Sequence, residues 1–400
     1  MKKKGKNMKK TTLFVTALAF LLVGCGSDLK THTNTSNPST SENPPPTSAV
    51  EKKEIAVVIG ANYTDLVGSL STIALDDAKT LIQGLVMTNG SDAVLRVFGG
   101  LIYVINRFGS DSIQVIDPND NFKIIADYSV GAGSNPQDIV VFNDTAYVSR
   151  LSPQNDTEDQ SDVLIIDPST GEQLGGFNLQ EYMTDDGEQL PFAAQMHRVG
   201  DYLYVACQDL SSWWVADTNG KVIVIDITTD TVTKSIELTG RNPADITYSP
   251  FSGKIYVTDT GVFDHATFTT DVNTDFGGIE VIDPKTNETE GILVDDADLG
   301  GNPSEIRIAS EGIAYVITSS AILASFNPAT YEVLNSAIYV SPGYYVPDFE
   351  IAGDGTILLT ERNTTNSGII VINDDGSIVD GPIGIGASPA SVEIMEVEKK

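Results

Sequence analysis

Cysteine is almost absent: the 400 residues hold two, Cys25 and Cys207. Beyond Cys25, a lone thiol cannot close an internal disulfide. Cys207 lies in the apolar run DYLYVACQ, where a thiol behaves as a small buried hydrophobe rather than a nucleophile. Histidine is nearly as scarce, with three copies at His32, His197 and His265. Neither His197 nor His265 has metal-ligand spacing to another histidine or cysteine, and no Cys-x-x-Cys-His is present to attach a haem. Positive charge is the third deficit. Lysine and arginine number 24 against 55 acidic residues, a formal charge of −31. Such a field repels nucleic acid and anionic headgroups and attracts cations, so no nucleic-acid partner is expected. It serves solubility or a cationic partner. The acid-rich stretches DDADLGG at Asp295 and QNDTEDQSD at Gln154 lack the glycine and glutamate spacing of an EF-hand. They read as solvated loops. No cofactor is required; Ca²⁺ or a bound metal complex stays open.

The basic residues that exist crowd the start. Lys2, Lys3, Lys4, Lys6, Lys9 and Lys10 precede an apolar run from Leu13 to Val23 and then LVGC at Leu22–Cys25. A basic head, a short greasy core and small residues at the cut make a secretory signal over 1–24, too short to span a membrane as a mature helix. Met8 would serve as a start equally well. The Leu-Val-Gly-Cys ending resembles a bacterial lipobox, which implies cleavage before Cys25 and a lipid on it; the alternative is an ordinary signal that happens to contain cysteine. Lipid places the protein on the bacterial cell envelope, anchored to the bilayer through Cys25 acyl chains, periplasmic or surface-facing. Gly26, where some lipoproteins retained at the inner membrane carry Asp, favours an outer location. Residues 25–53 are rich in Ser, Thr, Asn and Pro and read as a disordered tether.

The remainder, 54–398, alternates two signatures. One is Asn-Pro-x-acid-Ile: NPQDIVV at Asn135, NPADITY at Asn242 and NPSEIRI at Asn302, with weaker copies at Leu190, Val346 and Ser388. The other is an apolar run ending in Asp or Asn, such as IQVIDP at Ile113, VLIIDP at Val163 and IEVIDP at Ile279. Between them recurs a Tyr-Val strand: IYVINR at Ile102, AYVSR at Ala146, LYVACQ at Leu203, IYVTDT at Ile255 and AYVITS at Ala314. The period of about 42 to 60 residues is near that of a propeller blade. Each unit therefore reads as four strands. Strand A follows the proline, B carries Tyr-Val, C ends in Ile-Asp-Pro, and D follows a Pro/Asn/Asp/Gly turn.

Six full units begin near Asp92, Pro136, Pro191, Pro243, Pro303 and Pro347. The C-terminal SPASVEIMEV is a strand A without successors. The N-terminal IAVVIGAN, GSLSTIAL and KTLIQGLVM are strands B, C and D without a predecessor. Joined, they predict an all-β, seven-bladed β-propeller of four-stranded antiparallel blades, closed so that no sheet edge stays open. YVIN, YVSR, YVTD and YVIT with VIDP and NPxDI resemble the YVTN-repeat seven-bladed propellers of exported prokaryotic proteins, over roughly Ile55 to Val397. The resemblance implies the fold and leaves function open. Some lipoprotein propellers of this kind resemble surface receptors for corrinoids; no motif here singles out that group.

In such blades the D–A and B–C loops share one face, the top. Those loops are long and irregular here, as binding loops are. Strand A begins with an acid at Asp138, Asp245, Glu305 and Asp348, with Val94, Ala193 and Ser391 at the matching positions. Two steps along stand Arg96, Gln195, Thr247, Arg307, Glu350 and Glu393, on the same side by strand alternation. The acids either ring the channel mouth for a cation or polar ligand, or cap the D–A turns through their own backbone. Arg107, Arg150 and Arg362 end strand B facing the top, placed to fork onto carboxylates or to pair with the acidic ring. Aromatic residues crowd the same loops: Trp213 and Trp214, His265 between Phe263 and Phe268, Tyr344 and Tyr345, and Tyr182. Such groups stack on sugars, rings or peptides.

The leading reading is a membrane-anchored extracytoplasmic binding protein or receptor, a monomeric propeller with its site on the top face. Its partner would be a small molecule, a corrinoid-like compound, a glycan or a protein. No Ser-His-Asp, Cys-His or paired-carboxylate arrangement is present, so no catalytic residue is assigned. A metal-dependent hydrolase or lactonase would need Asp138, Asp245, Glu305 or Glu350 to converge, with His265 or a metal-bound water as base. A scaffold would dock proteins through Trp213 and Trp214.

Overall fold

Strands B and C of each unit are apolar on both faces, so each sheet must be covered twice. The computed structural model describes residues 51–399 apart from 77–78, 157, 185–188, 265–268, 271–275, 310–311 and 344. The predicted signal, Cys25 and the tether lie outside the described residues except for its last three positions. His265, Phe268 and Tyr344 lie outside them too. In the first blade, Leu101–Asn106 and Ser112–Asp117 each bury all but one residue, whereas the outer Lys123–Ser129 has no fully buried residue. Burial thus falls from the hub to the rim.

Seven four-stranded antiparallel sheets result, each running A to D from hub to rim. The seventh joins both ends of the repeat region. Ser388–Glu398 pairs with Lys52–Asn62, from Lys52 opposite Glu398 to Ala61 opposite Ser388. Val67–Ala74 and Leu81–Thr88 complete that blade. The inner strands Ala93–Phe98, Pro136–Phe142, Ala193–Val199, Pro243–Ser249, Pro303–Ile308, Phe349–Ile351 and Ser388–Glu398 neighbour one another in a closed ring. The fold is a seven-bladed β-propeller. Seven hydrophobic clusters each fill the wedge between two adjacent sheets. Ile102 and Val104 of the first blade, for example, meet Val57 and Leu70 of the seventh. No blade can bury its faces alone.

The repeated signatures prove to be bolts between blades. The strand-B tyrosines reach over the wedge to the C–D turn of the next blade. Tyr147 donates to Asp230 at 3.4 Å, Tyr204 to Asn287 at 2.8 Å and Tyr256 to the Pro328 carbonyl at 2.6 Å. A tyrosine suits that position because its ring packs while its tip finds an acceptor. The aspartate ending strand C caps its own turn: Asp117 accepts from the Asn119 amide, Asp226 from Thr228 and Asp283 from Lys285. The asparagine of Asn-Pro sits at φ +53° in Asn135 and +55° in Asn242, a left-handed conformation asparagine tolerates. Among the described residues no helix is long and apolar enough to cross a membrane.

Candidate ligand site at the channel mouth

Alternation along the seven inner strands places two tiers of side chains in the hub. Strand register aligns Val94, Asp138, Gln195, Asp245, Glu305, Asp348 and Ser391 in the upper tier. Arg96, Val140, His197, Thr247, Arg307, Glu350 and Glu393 form the lower one by the same register. The third blade corrects the sequence alignment. Its strand A starts two residues beyond Pro191: Ala193 stands opposite Cys207 as Pro136 stands opposite Arg150, so Gln195 rather than Ala193 takes the acid position, and His197 follows it into the channel.

The carboxylates of the acidic ring accept from backbone amides of two neighbouring inner strands. Asp138 accepts from the Ile139 amide with one oxygen and from Met196 of the next blade with the other, each at 2.9 Å. Asp245 does the same with Ile246 at 2.8 Å and Ile306 at 2.9 Å. Asp348 bridges Phe349 at 2.8 Å to Val392 at 3.0 Å, and Ser391 passes the link on to Leu95 at 3.1 Å. These carboxylates fasten inner strand to inner strand. They also hold the two channel guanidiniums. Arg96 pairs with Asp138 at 2.7 Å and Glu393 at 3.6 Å. Arg307 meets Asp245, Glu305, Asp348 and Glu350 at 3.1, 3.4, 3.2 and 3.3 Å. The acids thus pair with Arg96 and Arg307, not with Arg107, Arg150 or Arg362.

Six carboxyl groups face two arginines, so burial dominates the titration. It pushes Asp138 and Glu350 up and Glu305 well above the ordinary carboxylate range. Burial also pulls His197 down, keeping it neutral. Glu393 is pushed up to about 8 by burial, with Glu350 repelling it and Arg96 pulling it back. Folding raises this pKa from an ordinary 4.5. The resulting stability is therefore full below that value and is lost as pH rises through the folded pKa. The wild type should lose stability between about pH 5 and pH 8, and Glu393→Gln should flatten that slope. Urea midpoints at both pH values check it; an unchanged slope would place its source elsewhere.

Above the plug the mouth is open. A cavity of about 160 Å³ is lined by Tyr63, Asp92, Arg107, Tyr345 and Arg362, with Glu305 and Gln195 on its floor. A second, of about 440 Å³, shares Arg107, Gln195 and Glu305 and extends to Leu151, Leu210 and Trp214. Arg107 pairs with Asp92 at 2.5 Å. Arg362 donates through Nε to the Pro389 carbonyl at 2.8 Å and stands 5.6 and 5.4 Å from the Tyr63 and Tyr345 ring centres. Trp214 lies 4.4 Å from Phe192 with its rings tilted, at φ +63°. Trp213 is 82% exposed beside it. A further cavity, of about 610 Å³, lies on the bottom face between the first and second blades, lined by Phe98, Tyr103, Val141 and Pro168 and by none of these arginines.

Arg150 does not reach the mouth. Its side chain is fully buried, donating to Val130 and Ser161 carbonyls and pairing with Asp156 at 3.0 Å and Asp159 at 2.7 Å. This explains the acid-rich loop after Gln154, which wraps a buried cation instead of standing free in solvent. The other acid-rich stretch forms the short helix Asp296–Leu299, capped by Asp295. Arg150→Met should cost about 3 kcal/mol by leaving buried charge and carbonyls unpaired, read from chemical denaturation; a loss under about 1 kcal/mol would contradict the clamp. Tyr63 carried no sequence signal, since it stands in a short loop of an incomplete repeat. His197 was hidden because strand A of its blade starts at Ala193 instead of at Pro191.

No protein-family model and no curated protein sequence matches the chain. Solved structures do. A candidate 6-phosphogluconolactonase from Bacteroides fragilis aligns with TM-score 0.59 at 12% identity, over 90% of this chain and 100% of its own. A protein from Lactobacillus plantarum aligns with TM-score 0.60 at 13% identity, over 86% and 100%. The dihydro-heme d1 dehydrogenase NirN aligns with TM-score 0.50 at 15% identity, over 85% and 74%. The shared feature is the propeller. At such identities the likeness is one of fold.

Proposed function

We propose that this protein is a binding protein whose top-face mouth takes a small ligand, and that the channel beneath is a structural plug. One observation carries the reading: the channel charges are engaged with one another and with backbone amides, whereas the mouth is an open, preformed cavity with arginine, tyrosine and tryptophan converging on it. A rigid disc holding such groups in place lowers the entropy cost of binding. Attachment to the cell envelope through Cys25, and a corrinoid-like compound, glycan or protein as partner, belong to the same proposal. The test is a thermal-shift screen of the full chain against organic anions, corrinoids, haem, metals and glycans. A ligand at 100 times its Kd stabilises by about 2.7 kcal/mol. The hit should disappear in Tyr63→Ala/Tyr345→Ala; a hit indifferent to those residues would move the site off the mouth.

A hydrolase reading keeps one favourable observation, the Glu305 carboxyl on the mouth floor, which burial pushes well above the ordinary range, together with the fold shared with a candidate 6-phosphogluconolactonase. Asp138 and Asp245 are bound to guanidiniums and amides. Among the described residues no group of three His, Cys, Asp or Glu side chains is arranged to hold a metal. Turnover of a lactone panel that Glu305→Gln abolishes would replace the binding reading.

A further inference from the structure

Resting on that reading of the mouth, we propose that its ligand is a planar ring compound carrying an oxyanion, with the carboxylate or phosphate on Arg362 and the ring in the Trp214 compartment. The anion subsite is built rather than incidental. The Arg362 amide donates to the Tyr345 carbonyl at 3.0 Å, and the two residues form an antiparallel bridge. Nε is fixed on Pro389, and no described carboxylate pairs with the guanidinium. In a chain of formal charge −31, this arginine at a cavity wall keeps its charge unmatched by any carboxylate among the described residues. Its outer edge presents the fork that matches carboxylate or phosphate geometry. Tyr63 and Tyr345 hold their rings 5.6 and 5.4 Å from its guanidinium carbon, placed to contact a bound group beside it.

The second compartment has different chemistry. Leu151, Leu210 and Ala194 give it apolar walls, and Gln137 and Gln208 give it a few polar contacts. Trp214 adds an aromatic wall, fixed by its own contact with Phe192. Arg107, Gln195 and Glu305 border both compartments, so one molecule can span them. Glu305 faces Arg307 at 3.4 Å, and burial pushes its carboxyl well above the ordinary range, which lessens its opposition to an anion there. The two volumes, about 160 and 440 Å³, together fall within the range of small-molecule sites, ~300–1,000 Å³.

The test is isothermal titration calorimetry of the full chain with 2-naphthoate, 2-naphthyl phosphate and neutral 2-naphthol. At least one anion should bind one to one, about tenfold or more tighter than the naphthol; which anion binds better separates carboxylate from phosphate. Arg362→Met should weaken the anion by about tenfold or more while leaving naphthol unchanged. Trp214→Ala should weaken all the probes that bind. Unaltered melting curves of both variants show that folding is not the cause. Naphthol binding as tightly as the anions, an Arg362→Met loss within about twofold, or no anion binding at about 1 mM would each overturn the assignment. A screen hit that needs Tyr63 and Tyr345 but not Arg362 sinks this inference and leaves the binding site; hits that ignore the mouth altogether sink both.

Discussion

Arg307→Met should be the most damaging single substitution in the hub, costing about 3–5 kcal/mol near pH 8. The reason is the imbalance it creates. Four carboxyl groups, Asp245, Glu305, Asp348 and Glu350, lie within 3.4 Å of this one guanidinium. Only 19% of the Arg307 side chain stays accessible, so water cannot replace it. Methionine fills the volume but leaves the carboxyl groups facing one another without a cation. They answer by taking up protons. Glu305 and Glu350 already sit above the ordinary range through burial, and Arg307 is what pulls both back down. Without it their folded pKa values rise further. The stability penalty is then greatest above those values and shrinks as pH falls towards the unfolded ones. Urea denaturation of the variant should recover much of the loss at about pH 5 relative to pH 8. Arg307→Lys should fall between, because a point charge cannot fork to four partners. A loss below about 1 kcal/mol at pH 8, or one that does not depend on pH, would refute the plug.

Deleting residues 388–400 should abolish cooperative folding altogether. The lost strand is the inner member of the seventh blade and pairs with Lys52–Asn62 from Lys52 to Ala61. It also carries Val392, Ser391 and Glu393, the acceptors and donors that tie the sixth blade to the first through Asp348, Leu95 and Arg96. Its removal opens two wedges, exposing Val57 and Ile59 on one side and Val58 and Ile73 on the other. The cost is on the order of the net stability of a whole domain, about 5–15 kcal/mol. The bared edge of Lys52–Asn62 then templates association. Size-exclusion chromatography should show aggregate and melting should lose its single transition. A synthetic peptide spanning 386–399, added in trans, should restore part of both. A truncated chain that remains monomeric and melts sharply would mean that closure is dispensable.

How much of this was legible beforehand differs from residue to residue. The Tyr-Val, Ile-Asp-Pro and Asn-Pro-x-acid patterns were legible because each does a local job that recurs with the blade: a tyrosine bolt, a turn cap and an inter-strand carboxylate. Arg96 and Arg307 were visible as polar residues two steps beyond the acid position, since strand alternation is fixed. Their pairing with the acidic ring was not visible, because the partners lie as far apart as Arg96 and Glu393. Arg150 shows the opposite failure. It shares the end of strand B with Arg107 and Arg362, yet a long acidic loop folds over it and buries it. His197 escaped because strand A of the third blade starts at Ala193, two residues beyond the proline that marks its fellows.

By itself the sequence determined the strand order, the number of blades and the closure, because those follow from hydrophobic alternation, turn residues and a count of fragments along the chain. Only the tertiary structure decided which charges are engaged and which face a cavity. That outcome depends on which of seven strands meet across the hub and on how loops of unequal length fold over it, distances that no local pattern encodes.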